Sequence, residues 1–515
     1  MNKIISIKAL INHIRHRKYE TLFVIMIIIY LIPIWRFPYF PTQDGPSHIH
    51  NTQVLKDFNN PEYRFGEHYK LNIKPFPNWI NYIVMAGFQF IFSPIISEKL
   101  FLTIYVVMMA ISIYYLLGVF GHKRRIFAFI SFPFIYNYLF LMGFYNFAIA
   151  VPLMFFSIGY FWKYKDKINW KSGIILVLLP VLTYFSHPVP YILVISTIFI
   201  LSVIYFRKRI RDIIYNFICL IPSIALFVNY AIYTGMTKAK RPPSSFWNMP
   251  RLLSDFVSEK SLVSFNTSEQ TKIGYVIFGF IALMLIITII SKWRFHDGKL
   301  IINLEEKDYL IFGFIISFGL YIYAPDGLEN QGGFINSRLN LLSSLFLIPL
   351  ISENIGKIMR VIALVLMVII AIGNFIYLYD YIDVLSFELE EYTAGVDKIG
   401  KNIVMMPLIF DKGGNSQLVQ IFTHAPNYYC LDKGNINLGN YEAAIHYFPI
   451  NFRDDFDRPT VSQVHYAPNE IDFAKLSTYV DYIVAFGYDK NITDRVNKYY
   501  DVIFTKDRLR IYKKK

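Results

Sequence analysis

Apolar runs of roughly 16–22 residues recur along the first three-quarters of the chain, a length that crosses a hydrocarbon core about 30 Å thick as a helix. So many such runs cannot be buried inside one soluble core. Hydrophobic residues make up 55% of the 515 positions and aromatic residues 18%, outside the range of soluble domains. The fold class is therefore an α-helical polytopic membrane protein. The reading gives about eleven spans, at residues 21–35, 100–120, 126–141, 148–162, 173–184, 191–206, 213–233, 273–290, 309–323, 339–351 and 361–379. A further apolar stretch, 79–96, decides the orientation of everything after it.

Charge arbitrates. If 79–96 lies in the interface rather than crossing, the basic loops at Lys123-Arg124-Arg125, Lys163 to Lys171, Arg207 to Arg211, Lys292 to Lys299 and Lys357/Arg360 share one side with the basic N-terminus (Lys3, Lys8, Arg15, Arg17, Lys18). Lys/Arg enrichment marks the cytoplasmic side. This places the N-terminus in the cytoplasm and the chain in the plasma membrane, with a first outer loop over 38–97 containing a juxtamembrane helix. The net charge of +14 is then a topology signal that meets anionic lipid, not nucleic acid. Cys219 and Cys430, in separate parts of the chain, argue against a disulfide or a thiolate metal site. The first run lacks a small-residue cleavage site and reads as a retained anchor.

Two domains follow: membrane-embedded residues 1–380, and an extracytoplasmic small α/β domain at 381–515. The latter has strand-like runs at 403–410 and 479–486, and a hairpin from 501–505 and 509–512. The outer face collects Asp44, His48, His50, His68 and Lys74 from the first loop and the connection 142–147 with Tyr145 and Asn146. It also holds Ser186-His187-Pro188, the loop 234–272 with Lys238, Lys240 and Arg241, and Pro325-Asp326-Gly327-Leu328-Glu329 leading to Arg338.

Asp44-Gly45-Pro46-Ser47-His48 after the first span, Lys74-Pro75 before an aromatic-rich apolar segment, Gly143-Phe144-Tyr145-Asn146-Phe147, Ser186-His187-Pro188, the late Arg338 and an outer C-terminal domain occur together. This set resembles the GT-C superfamily of integral-membrane glycosyltransferases, and more narrowly its uncharacterised bacterial members. The resemblance implies inverting transfer of a hexose or pentose from a polyprenyl phosphate or diphosphate to an envelope glycan, lipid or protein on the outer face. It casts Asp44 as the base for the acceptor or as a metal holder, and Lys74 as a neighbour of the lipid phosphate. The second outer loop departs from the family pattern by lacking an acid, so a divalent metal is a cofactor the resemblance raises without ligands to match.

Each residue also has a plainer role. Asp44 is either the base or a turn-capping acid before Gly45-Pro46. His48 either orients that carboxylate or is a solvated loop histidine. His187 is a site residue or an interfacial one, since Pro188 ends the preceding span. Arg338 binds phosphate through its planar fork or snorkels to head groups; Lys74 and Arg241 pose weaker versions of that choice. Asp326 and Glu329 are weak metal-ligand candidates in place of the missing second-loop acid. Two other functions compete with transfer: a non-catalytic protein that binds envelope lipids or glycans, and a lipid-linked-sugar transporter. The near absence of ionisable residues within the spans argues against the transporter.

Overall fold

The computed structural model describes residues 17–235, 248–296, 299–302, 304–327 and 332–515. Lys3, Lys8, Arg15, Lys238, Lys240, Arg241 and Glu329 lie outside the described residues. Within them, seven helices are long and apolar enough to cross a membrane: Lys18–Arg36, Pro94–Phe120, Tyr145–Tyr164, Pro188–Phe206, Ile210–Tyr233, Thr267–Ser291 and the last, from Lys357. An eighth apolar helix, Trp170–Ser186, is shorter.

Local chemistry sets the helix starts. Ser93 Oγ accepts from Ile96 N ahead of Pro94, and Asn169 forms a reciprocal capping box with Ser172. Asn266 accepts from Glu269 N. Helix Tyr145–Tyr164 is central, with 89% of its apolar window buried, whereas Ile210–Tyr233 has 22% and turns Phe217, Ile218 and Ile221 outward. A chain that exposes such faces needs lipid around it.

Three expected spans take other forms. Residues 126–141 fall in a 3₁₀ segment, His122–Phe134, followed by the four-residue helix Tyr138–Leu141. Pro133 removes a helical donor, and Asn137 begins a new turn by accepting from Phe140 N. This irregular backbone is enclosed by protein: Phe127, Phe129, Phe132 and Phe134 are all buried. The expected spans 309–323 and 339–351 are the 13-residue helices Ile311–Tyr323 and Ile335–Leu347, each about 20 Å long and shorter than the hydrocarbon core. Residues 79–96 divide between Ile80–Gln89, ten residues long and so about 15 Å, and the first residues of the Pro94–Phe120 helix.

The last helix runs unbroken from Lys357 to Thr393 over 37 residues, so the 380/381 boundary falls inside a rigid element about 55 Å long. It enters a C-terminal layer built on a five-stranded sheet. In spatial order the strands are Ile436–Asn437, Val404–Ile409, Tyr482–Phe486, Leu509–Lys514 and Tyr500–Lys506. The first three pair in parallel and the last two close as an antiparallel hairpin. Val404–Ile409 and Tyr482–Phe486 are buried throughout, as strands covered on both faces must be. Arg508 fastens the hairpin to the long helix through Glu388 and Glu391 at 3.0 and 2.7 Å, and meets Asp411, just past strand Val404–Ile409, at 2.8 Å. The first outer loop joins this layer: Tyr69–Leu71 pairs antiparallel with Ile450–Phe452, and Asn72 Nδ2 donates to the carbonyls of His446 and Phe448.

Candidate functional site between the bundle and the C-terminal layer

Asp44 ends a turn whose backbone lies on the connection 141–143: Gln43 N donates to Leu141 O and Asp44 N to Met142 O. Gly143 makes this approach possible. Its φ is +84°, and a Cβ there would lie 2.6 Å from Asp44 N and 2.8 Å from Asp44 Cβ. Pro46 then starts helix Gly45–Lys56, with Asp44 at its N-cap position. The Asp44 carboxylate is not used as a cap. Its Oδ2 accepts from Tyr441 Oη at 2.9 Å, and its Oδ1 lies 3.5 Å from His424 Nε2. Burial pushes the Asp44 carboxyl from its ordinary 3.8 up to about 7, with His48 and Tyr441 pulling the other way.

His48 lies one turn further along. Its Nε2 donates to Gly143 O at 2.8 Å, and its Nδ1 is 2.7 Å from Glu442 Oε1. Burial alone would lower this imidazole; Glu442, with Asp44 behind it, overrides that and leaves it raised. Tyr145 donates to Glu98 Oε1 at 2.5 Å and meets Thr42 Oγ1 at 2.8 Å. Asn146 Nδ2 donates to Asn81 Oδ1 at 2.7 Å, and Asn146 Oδ1 accepts from Asn81 N at 3.0 Å. Asn146 therefore holds the start of helix Ile80–Gln89 in place.

A cavity of about 680 Å³ gathers these elements. Asp44, His48, Tyr145, Asn146, His187 and Arg338 all line it. His187 caps helix Pro188–Phe206 by accepting from Val189 N at Nδ1, so Nε2 carries the ring hydrogen. Burial, reinforced by Arg338, holds it neutral. Arg338 sits in the first turn of Ile335–Leu347, its guanidinium 5.0 Å from the Phe144 ring centre and 5.6 Å from that of Phe147. It donates to Gly333 O. Among the described residues it has no carboxylate partner, and its buried Nε has no acceptor. A half-buried cation in that condition is suited to an anion.

The C-terminal layer roofs the cavity with His424, Tyr441, Tyr447, Phe448 and Tyr466, none of which the sequence singled out. They lie nearly 400 positions from Asp44, and no local pattern announces such a contact. Burial keeps His424 well below its ordinary pKa, and it stacks on Tyr441 with ring centres 4.3 Å apart.

Lys74 is not among the lining residues; its ammonium bonds Tyr233 Oη and sits 4.0 Å over that ring. Asp326 caps Ile335–Leu347 by accepting from Asn336 N at 2.9 Å and borders a separate cavity of about 370 Å³. Among the described residues no three His, Cys, Asp or Glu side chains converge as a metal site.

The chain has an ArnT-like fold. Against the crystal structure of ArnT from Cupriavidus metallidurans in the apo state it superposes with a TM-score of 0.52 at 10% identity, covering 97% of this chain and 98% of that one. The shared fold thereby extends over nearly the whole length of both chains. No family model matches the chain, and no curated protein does.

Proposed function

We propose that this chain is a membrane glycosyltransferase that moves a sugar from a polyprenyl-phosphate carrier to a hydroxyl-bearing acceptor of the cell envelope, at the outer face of the plasma membrane. One observation carries the reading: a buried carboxylate, Asp44, and a half-buried guanidinium, Arg338, whose buried Nε has no acceptor and which has no acid partner among the described residues, line the same cavity. The ArnT-like fold and the basic loops on the opposite face support it.

In this reaction the acceptor oxygen attacks the anomeric carbon, and Asp44 takes the hydroxyl proton as that bond forms. The bond from the anomeric carbon to the phosphate oxygen breaks with inversion, and the departing charge stays on the lipid phosphate. Arg338 holds that phosphate and stabilises the charge. Phe147, Val189, Ile192, Leu320 and Leu339 give the same cavity an apolar wall for the first prenyl units. Neutral His187, with its Nε2 hydrogen, is placed to donate to a sugar or phosphate oxygen. A carboxyl that titrates near 7 suits a base working near neutrality.

The test is transfer from radiolabelled polyprenyl-phosphate sugars into endogenous acceptors, comparing membranes carrying the intact protein with membranes carrying Asp44→Asn at matched expression. Label incorporated by the first and lost in the second supports the reading. Equal incorporation removes Asp44 from the chemistry. No label with any donor favours a protein that binds envelope lipids or glycans without turning them over.

A further inference from the structure

Helix Gly45–Lys56 presents Ser47, His48 and Asn51 to the C-terminal layer, and all three are met by polar partners there. Asn427 Nδ2 donates to Ser47 Oγ at 2.8 Å, and Asn51 and Asn440 exchange amide bonds at 3.1 and 2.7 Å. The centre of this seam is Glu442, only 1% exposed. Its Oε2 accepts from Asn51 Nδ2 at 2.7 Å and from Tyr82 Oη. Its Oε1 faces His48 Nδ1 at 2.7 Å.

The protons on His48 follow from its partners. Nε2 must carry a hydrogen, because the Gly143 carbonyl it meets at 2.8 Å can only accept. Nδ1 lies 3.2 Å from Tyr82 Oη, which already donates to Glu442 Oε2 and so can only accept from Nδ1, and 2.7 Å from Glu442 Oε1; Nδ1 thus carries a hydrogen as well. Two donors on Oε2 favour the carboxylate, and Asp44 nearby favours a positive ring.

We propose that Glu442 is a positioning residue for the reaction: it holds His48 as the imidazolium, and this buried charge, one turn from Asp44, keeps the Asp44 carboxylate ionised to accept the acceptor's proton. The proposal rests on Asp44 being the base. The groups facing the pair are consistent with it. Asp44 meets Gln43 from its own loop, Tyr441 and His424 from the C-terminal layer, with Tyr138 and Tyr447 in electrostatic range. His48 meets Tyr82, Glu442 and the Tyr145 ring, with Glu98 behind Tyr145. The tyrosines are neutral and burial keeps His424 neutral, so His48 supplies the charge that most opposes desolvation of Asp44.

The experiment is a pH titration of Asp44 by difference infrared spectroscopy on the purified full-length protein in detergent, reading the protonated-carboxyl band as wild type minus D44N. The wild-type midpoint is expected near 7. In H48Q, referenced to H48Q/D44N, it should rise by about one unit or more, the effect of losing an opposite charge at this range; in E442Q, referenced to E442Q/D44N, it should rise by less, because the Glu442 carboxylate itself raises Asp44 and is lost together with the imidazolium. The double variant should match E442Q and fall below H48Q, because His48 is already neutral once Glu442 is gone. E442D should return the midpoint towards wild type. If E442Q does not fold, H48Q carries the same reading. An unchanged midpoint in H48Q, or an E442Q midpoint at or below wild type, overturns the proposal. In transfer assays the acid limb should move up by the same interval with donor KM unchanged, whereas a merely structural role would lower kcat at every pH. Because the infrared midpoint needs no turnover, a wild-type protein that transfers no sugar would defeat the glycosyltransferase reading while leaving this inference decided on its own terms.

Discussion

Gly143→Ala is a single methyl group aimed at the presumed base. At φ +84° a side chain costs about 1–2 kcal/mol of backbone strain. The new methyl would lie 2.6, 2.8 and 2.9 Å from Asp44 N, Cβ and Cα, where relaxed contacts stand at about 3.5–4.0 Å. Asp44 must therefore retreat by about 1 Å, and a shift of that size in a reacting group costs on the order of 100-fold in rate. The Gly143 carbonyl also anchors His48 Nε2, so acid and imidazole move together. The expected outcome is transfer reduced about 100-fold, with stability lowered by about 2–3 kcal/mol and the protein still folded in a thermal unfolding scan. Gly279→Ala is the control: nothing lies within 4 Å of its added Cβ, and it sits in helix Thr267–Ser291, so activity should hold and stability rise by about 0.5–1 kcal/mol. Transfer by Gly143→Ala within about threefold of wild type would refute the reasoning, because the position of Asp44 would then not matter to the rate.

Arg338→Gln should raise donor KM by roughly 10–150-fold, the equivalent of a charge-assisted hydrogen bond of about 1.5–3 kcal/mol, with Arg338→Lys recovering part of it because the fork is lost but the charge kept; steady-state kinetics with a defined donor checks both. The transfer rate should rise with pH through about 7 as Asp44 ionises, and a flat profile from about pH 5 to 9 would remove a carboxyl base. The same raised pKa has a stability consequence: it stabilises the fold below the unfolded value and that contribution is lost as pH rises through about 7. Asp44→Asn should accordingly melt above wild type at pH 8, by an amount on the order of a few kcal/mol, with the gap closing towards pH 4. Lys74→Met should leave donor KM within about threefold, since a partly exposed polar contact is worth under about 1 kcal/mol and this ammonium is engaged with Tyr233 outside the cavity.

The membrane class was legible because an apolar run long enough to cross lipid has few other uses, and the strands of the C-terminal layer were legible from short β-branched and aromatic runs such as Tyr482–Phe486. Asp44, Tyr145, His187 and Arg338 stand out as candidates by their place at the ends of apolar runs, and one cavity gathers them. Hydropathy failed at residues 126–141, because a buried 3₁₀ segment and a lipid-facing helix are equally apolar; Pro133 and Asn137 were the overlooked signals. Lys74 was chosen from a dipeptide, whereas its position depends on Tyr233, far away in sequence. Glu442, Tyr441 and His424 had no signal at all: an Asp-to-Tyr contact across 397 positions is set by how two layers dock, which a single sequence does not record.

Locating a bound polyprenyl phosphate in the protein by cryo-electron microscopy tests the central claim most directly. The account predicts phosphate density on the Arg338 guanidinium inside the cavity, the prenyl chain leaving past Phe147 and Ile192, and Asp44 facing the space where the sugar would extend. Phosphate held elsewhere, with Arg338 still closed on the Gly333 carbonyl and the cavity empty, would contradict it.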